Sequence, residues 1–271
     1  TITLPTSNNG GKGISADGNI YFTAGYVVVT TAGNGASYTV TGSTKDAYTS
    51  ACIKSDAIIS LTGGNITCTS TGTGGKGIVS DGAMIIGTLN ANDSTLIITV
   101  STSGERITVS SSSGWGSEGD YANPKAIKAE GNLTINSGII TVTCTQSNEG
   151  GECIESKAIL AINGGRITAT SSHDDAINAS TGLYINGGTT YAASSNNDGI
   201  DSNGSLTITG GLTIASGAGN PETGFDCDNN TFSITGGILI GTGGGTSAPT
   251  TSACTQRSIE YSHSGNNAIR I

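Results

Sequence analysis

The sequence predicts an all-β chain wound as a right-handed parallel β-helix, and three observations carry that prediction. A unit of about 23 residues recurs along the chain. Each unit holds short Ile/Val/Thr runs of alternating pattern, the mark of half-buried strands. Most units close their second strand with Gly-Gly, which suits a tight corner. One such unit cannot bury its own apolar face, whereas stacking it on a neighbour does so and gives a solenoid.

The clearest copy is Asp198-Gly199-Ile200-Asp201-Ser202-Asn203-Gly204, followed by Leu206-Thr207-Ile208-Thr209-Gly210-Gly211 and Leu212-Thr213-Ile214. Its anchoring hydrophobe recurs at Ile14, Ile53, Ile78, Ile127, Ile154, Ile177, Ile200 and Phe225. From Ile127 the steps are 27, 23, 23 and 25 residues. The longer steps, 14 to 53 and 78 to 127, imply either a coil whose anchor has drifted or inserted loops, which would fall near 38–49 and 110–124. The β-helix is expected over 1–250, with 251–271 beginning a further β part. Thr62, Asn136, Asn163, Asn186, Thr209 and Thr235 share the slot before the corner, where stacked amides can hydrogen-bond along the axis. Contiguous Gly-Gly-x-Gly-x-Asp nonapeptides do not recur, and a single Trp is too few for propeller blades.

Composition narrows the function. A net charge of −9 excludes a nucleic-acid surface, which must be basic. No run approaches 18 apolar residues, so no membrane-spanning helix is predicted. His173 and His263 lie far apart, and no Gly-x-Ser-x-Gly occurs, which argues against a Ser-His-Asp mechanism.

The carboxylates are concentrated. Residues 149–228 carry ten against only Lys157 and Arg166. They also share phase with the anchor. Glu152, Asp175 and Asp198 lie two residues before it; Glu155, Asn178, Asp201 and Asp226 lie one after. Both positions face outward if the preceding turn keeps the phase. Coils about 4.8 Å apart would then stack like charges, which repel unless a cation intervenes or protons are retained. Calcium, with six to eight oxygen ligands at about 2.3–2.6 Å, fits that spacing. The first candidate site is Asp174, Asp175 and Asn178 with Glu152 and Glu155. A second joins Asp198 and Asp201 with Asn178 or Asp226. In the earlier coils Lys12, Lys76 and Lys125 take the place of Glu152, and Lys54 and Lys128 that of Glu155. Asp17, Asp56, Asp81 and Glu130 follow, so a ladder of surface ion pairs is favoured over a uronate-binding groove.

Six cysteines are present without a CxxC. Cys52 and Cys153 precede the anchor, and Cys227 takes an inward small position. Cys68 and Cys144, in Ile-Thr-Cys-Thr and Val-Thr-Cys-Thr, read as equivalent second-strand sites. Inward thiols act as small hydrophobes; a Cys227–Cys254 pairing is open but unsupported, and the spacing leaves the disulfide state of all six cysteines undecided.

The units His-Asp-Asp-Ala-Ile-Asn-Ala (173–179), Asn-Asp-Gly-Ile-Asp (197–201) and Gly-Glu-Cys-Ile-Glu (151–155) are each followed by Leu-x-Ile-Asn/Thr-Gly-Gly. They resemble the carbohydrate-binding β-helix family related to the Clostridium thermocellum cellulose- and acid-sugar-binding protein. The resemblance implies a bacterial, secreted or cell-surface relative of polysaccharide lyases that binds calcium. It also implies that Thr255–Tyr261 leads into a C-terminal β part. The pattern Asp174-Asp175-x-x-Asn178 is similar to the calcium cluster of family 9 pectate lyases, with Asn as its third member. Such lyases use a Lys or Arg base C-terminal to that cluster. No Lys follows Lys157, and no Arg lies between Arg166 and Arg257.

The resulting expectation is a calcium-binding, non-catalytic module for plant cell-wall polysaccharide, either acidic such as polygalacturonate or cellulose. A calcium-dependent pectate lyase and a structural surface adhesin are the alternatives. Candidate sugar-contacting residues are Lys125, Lys128, Trp115 and Tyr121, with Tyr38 and Tyr48 in the earlier insert.

Overall fold

The alternating runs form strands, and each pairs in parallel with the same run one unit away. A computed structural model describes residues 1–110, 120–147 and 150–262. The described residues form eight stacked coils, each contributing one strand to each of three parallel sheets. The chain is a parallel β-helix. None of its described segments is a helix long and apolar enough to cross a membrane.

The anchor sheet runs from Lys12–Ala16 to Phe225–Asp226. Its ladder aligns Ile14, Ile53, Ile78, Ile127, Ile154, Ile177, Ile200 and Phe225 in one row, as the repeat predicts. The middle sheet runs from Ile20–Phe22 to Phe232–Ile234, and the long sheet from Tyr26–Thr31 to Ile238–Thr242. An extra strand, Ile2–Leu4, starts the long sheet. Leu61, Ile86, Ile135, Ile162, Ile185 and Ile208 stack inside, as do Ile66, Ile98, Ile140 and Ile167. Burying each such side chain stabilises the fold by about 1.5–3 kcal/mol.

The corners need glycine where the backbone turns left-handed. Gly188 has φ 80°, and a Cβ there would meet the Gly165 carbonyl oxygen at 2.6 Å. No other residue type satisfies both demands. One step before these corners the amide ladder forms. Asn163 donates to Asn136 Oδ1 at 2.9 Å, Asn186 donates to Asn163 Oδ1 at 2.8 Å, and Thr209 donates to Asn186 Oδ1 at 2.9 Å. Asn163→Ala removes two of these bonds and leaves the buried Asn136 short of a partner. A loss of about 1–3 kcal/mol is expected from urea denaturation.

Two antiparallel hairpins interrupt the winding. Ala36–Thr41 pairs with Thr44–Tyr48, and Ile107–Ser110 pairs with Asp120–Ala122. Ile107 packs toward Gly35 and Gly74, which ties the second hairpin to the base of the first. A third excursion, 87–95, is held by Asp93, whose carboxylate accepts from Thr95 N, Thr95 Oγ1 and Thr88 Oγ1. After the last coil, residues 245–256 lie along its edge, with Ser247 N, Thr250 N and Thr255 N donating to Phe225, Phe232 and Ile234 carbonyls.

The register revises one sequence-based reading. Cys68 aligns with Val100 and Val142, whereas Cys144 aligns with Thr102 and Ser70. The two cysteines are therefore offset by two positions. Strand position is counted from the corner glycine, and a shift of two preserves the inward face that made the motifs look alike.

Candidate metal centre

The acidic rows sit on the anchor sheet, and a bend places them together. Ala126 with Ile127, Cys153 with Ile154, and Ala176 with Ile177 are consecutive core residues. Two successive inward side chains put the residue two before the anchor and the residue one after it on the same outer side. The ladder aligns Lys128, Glu155, Asn178, Asp201 and Asp226.

Outward does not mean solvated here. Glu155 is fully buried, and Glu152, Asp175, Asn178, Asp198 and Asp201 are all buried. Part of the cover comes from turn backbone that the carboxylates themselves bind. Asp174 accepts from Gly151 N on the preceding turn at 3.1 Å. Asp175 accepts from Asp198 N at 3.2 Å, and Asp198 from Thr223 N. Asp175 and Asp198 thus each hold the next turn in place, and Asp174 the preceding one. This ladder of carboxylate-to-backbone bonds was not anticipated, although the shared phase of Asp175 and Asp198 was its signal.

The first candidate set does not converge. Glu152 pairs with Lys125, and Glu155 pairs with Lys125 at 3.4 Å and with Lys157. Asp174 is taken up by Gly151 N, Asp175 N and Asn197 Nδ2. Asn178 donates its amide to Asp175 Oδ2 at 3.2 Å and to Asp201 Oδ2 at 2.7 Å. It therefore bridges two acids with its nitrogen. The basic row meets the acidic row at the coil carrying Lys125, and ammonium groups supply the charge that calcium was expected to supply.

Burial alone would raise the Glu155 pKa, yet the ammonium groups of Lys125, Lys157 and Lys128 outweigh it and hold the carboxyl down at about 2. Burial lowers the Lys125 pKa, opposed by Glu155 and Asp174. Farther up, Lys54 bridges Asp56 and Asp81 at 2.6 Å each, and Lys128 bridges Glu130 at 2.7 Å. These are the surface ion pairs expected of the basic row.

The second candidate set does converge. Asp198, Asp201 and Asp226 each offer a carboxylate oxygen within 4.8 Å of the others. Asp201 and Asp226 are ladder partners on successive coils, and Asp198 enters from the turn before Asp201. Asp201 is only 8% exposed, and its Oδ1 is buried without a hydrogen-bond partner. Its other oxygen accepts from Asn178 and Asn203. Asp226 is half-buried and accepts from Ser247 Oγ at 2.6 Å. Burial first, then Asp226, raises the Asp201 pKa to about 7; burial raises that of Asp198 to about 6. Burial and the neighbouring Asp201 also raise Asp175. An all-oxygen donor set with one orphaned buried oxygen fits a hard divalent cation.

The aromatic candidates are placed differently. Tyr121 is half-buried on the second hairpin, with the Arg106 guanidinium 3.9 Å above its ring. Tyr38 and Tyr48 face each other across the first hairpin with ring centroids 6.4 Å apart. Trp115 lies outside the described residues.

Residues 121–220 match the family model described as carbohydrate-binding domain-containing protein. The match bears out the resemblance read from the repeat units. The matched segment includes the Lys125–Glu155 network and Asp198 and Asp201, and ends before Asp226. No curated protein and no solved structure matches the chain.

Proposed function

We propose that the chain is a calcium-binding, non-catalytic carbohydrate-binding β-helix that recognises acidic cell-wall polysaccharide, polygalacturonate being the model ligand. The observation that carries this reading is the meeting of Asp198, Asp201 and Asp226 within 4.8 Å, with Asp201 Oδ1 left unpartnered. Asp198, Asp201 and Asp226 would hold the cation. When bound, calcium would supply a positive point to which a uronate carboxylate can add as a further oxygen ligand. The half-buried Asp226 gives that position its opening toward solvent.

The family description supports the sugar, and the carboxylate geometry supports the cation. A binding role is favoured over a lyase because residues 167–256, which contain the whole cluster, hold neither Lys nor Arg. Lys157, the nearest preceding lysine, is engaged by Glu155. We assign the protein a secreted or cell-surface location on the same reading.

Affinity electrophoresis in gels cast with polygalacturonate tests the proposal. Migration is expected to slow with calcium and to return to the control rate with chelator. Equal migration in both gels sinks the calcium-bridged reading. Growth of absorbance from unsaturated products would replace it with the lyase.

A further inference from the structure

We propose that Cys52–Cys68 and Cys144–Cys153 are disulfide sites, two internal staples that each join the anchor sheet to the long sheet across a corner of the core. In each pair the two thiols lie close enough to shift one another's pKa. The surrounding contacts place them independently. Cys52 Sγ lies 3.4 Å from the carbonyl of Thr69, the residue after Cys68. It also lies 3.6 Å from the carbonyl of Val29, the ladder partner of Cys68. Cys144 Sγ lies 3.7 Å from the carbonyl of Glu152, the residue before Cys153. Cys153 Sγ in turn donates to the Thr170 carbonyl at 2.9 Å. Thr170 adjoins Ser171, the ladder partner of Cys144. Cys52 Sγ thus lies beside the backbone around Cys68, and Cys144 Sγ beside the backbone that enters Cys153, the neighbourhood a disulfide requires.

The offset between Cys68 and Cys144 has a role in this arrangement. Cys68 sits two positions before the strand end and meets the cysteine that begins its own coil, in Ala51–Ser55. Cys144 ends its strand, Ile139–Cys144, and meets the cysteine that opens the next coil. One staple therefore closes a coil on itself, and the other fastens one coil to its successor. The remaining two cysteines are placed otherwise. Cys227 donates to the Asn230 carbonyl and Cys254 to the Phe232 carbonyl, each at 3.6 Å.

All four paired thiols are buried, so oxidation belongs to the folding chain, before the coils close. The oxidant is a small-molecule or protein disulfide. One cysteine thiolate attacks it, forming a mixed disulfide and releasing one thiol of the oxidant. The second thiolate displaces the other oxidant sulfur and forms the protein S–S bond. Each bridge gives up two protons and two electrons, and the oxidant leaves as two thiols. Secretion supplies such an environment.

The test is a thiol census on the full chain, refolded from the reduced state in a buffer of oxidised and reduced glutathione. The protein is unfolded in guanidinium with N-ethylmaleimide, then digested and mapped by mass spectrometry. Alkylation is expected only at Cys227 and Cys254, with 52–68 and 144–153 recovered as linked peptides about 2 Da lighter per bridge than the reduced pairs. Prior reduction should expose all six cysteines. Cys68→Ser should release Cys52 to the reagent while 144–153 stays linked. Six alkylated cysteines without prior reduction, or any other pairing, overturns the proposal.

Discussion

Calcium is expected to raise the melting temperature of the wild-type chain and to raise that of the Asp201→Asn variant by about half as much or less. Asp201 Oδ1 is a buried oxygen with no donor, and Asp198 and Asp226 each offer a carboxylate oxygen within 4.8 Å of one on Asp201. Without a cation these charges repel, and burial raises the pKa of Asp201 to about 7. A ligand that binds only the folded state at about 100 times its Kd stabilises it by about 2.7 kcal/mol. Removing one charged ligand from a three-carboxylate set should weaken calcium at least about tenfold. Asn at 201 keeps the shape and accepts from Asn178 through its oxygen, so the fold survives and the comparison is clean. Calorimetric titration and a thermal melt with and without calcium check the expectation. Identical calcium affinity in the two proteins would remove Asp201 from the site.

The second large effect belongs to Glu155. Its carboxylate is fully buried and neutralised by Lys125 and Lys157. Glu155→Gln should destabilise the chain by about 3–5 kcal/mol, because it leaves ammonium charge buried without its counter-charge. Lys125→Met in the same chain should recover part of that loss, since the two effects are coupled. The sign of the pH dependence follows from the depressed pKa. Glu155 is held at about 2, below the ordinary glutamate value, so its stabilisation is complete above the unfolded-state pKa. It is lost as pH falls from about 4.5 toward 2. Urea midpoints across that window should drop in the wild type. They should drop less in Glu155→Gln, which has no carboxyl to protonate.

These expectations show which layer of the molecule the sequence makes legible. The anchor row was readable because one inward Ile per coil repeats at nearly constant spacing, and each predicted anchor from Ile14 to Phe225 sits on one ladder. The Asn136–Asn163–Asn186 ladder was readable for the same reason. Burial of the acids was not, because it depends on how neighbouring turns close on them, as where Thr223 N donates to Asp198. Phase alone placed Glu155 next to Asn178, but its true partners, Lys125 and Lys157, come from the coil before and from two residues along the chain. The change from Lys125 to Glu152 at the same phase was the available clue. The second acidic set, by contrast, followed from phase and coil spacing, because no lysine intrudes there.

Asn178 has a consequence for how this solenoid can change length. Ile154, Ile177 and Ile200 are spaced by 23 residues and are interchangeable in the ladder. Their neighbours are not. Glu155 answers to lysines, whereas Asp201 belongs to a wholly anionic group, and Asn178 stands between them as an uncharged spacer. Excising the single coil from 177 to 199 would preserve every hydrophobic register yet set Glu155 against Asp201 at about 5 Å. The core would accept the shorter chain, and the electrostatics would not. The coil carrying Asn178 works as an insulator between two charge regimes, so coils that look modular from inside are fixed in order from outside.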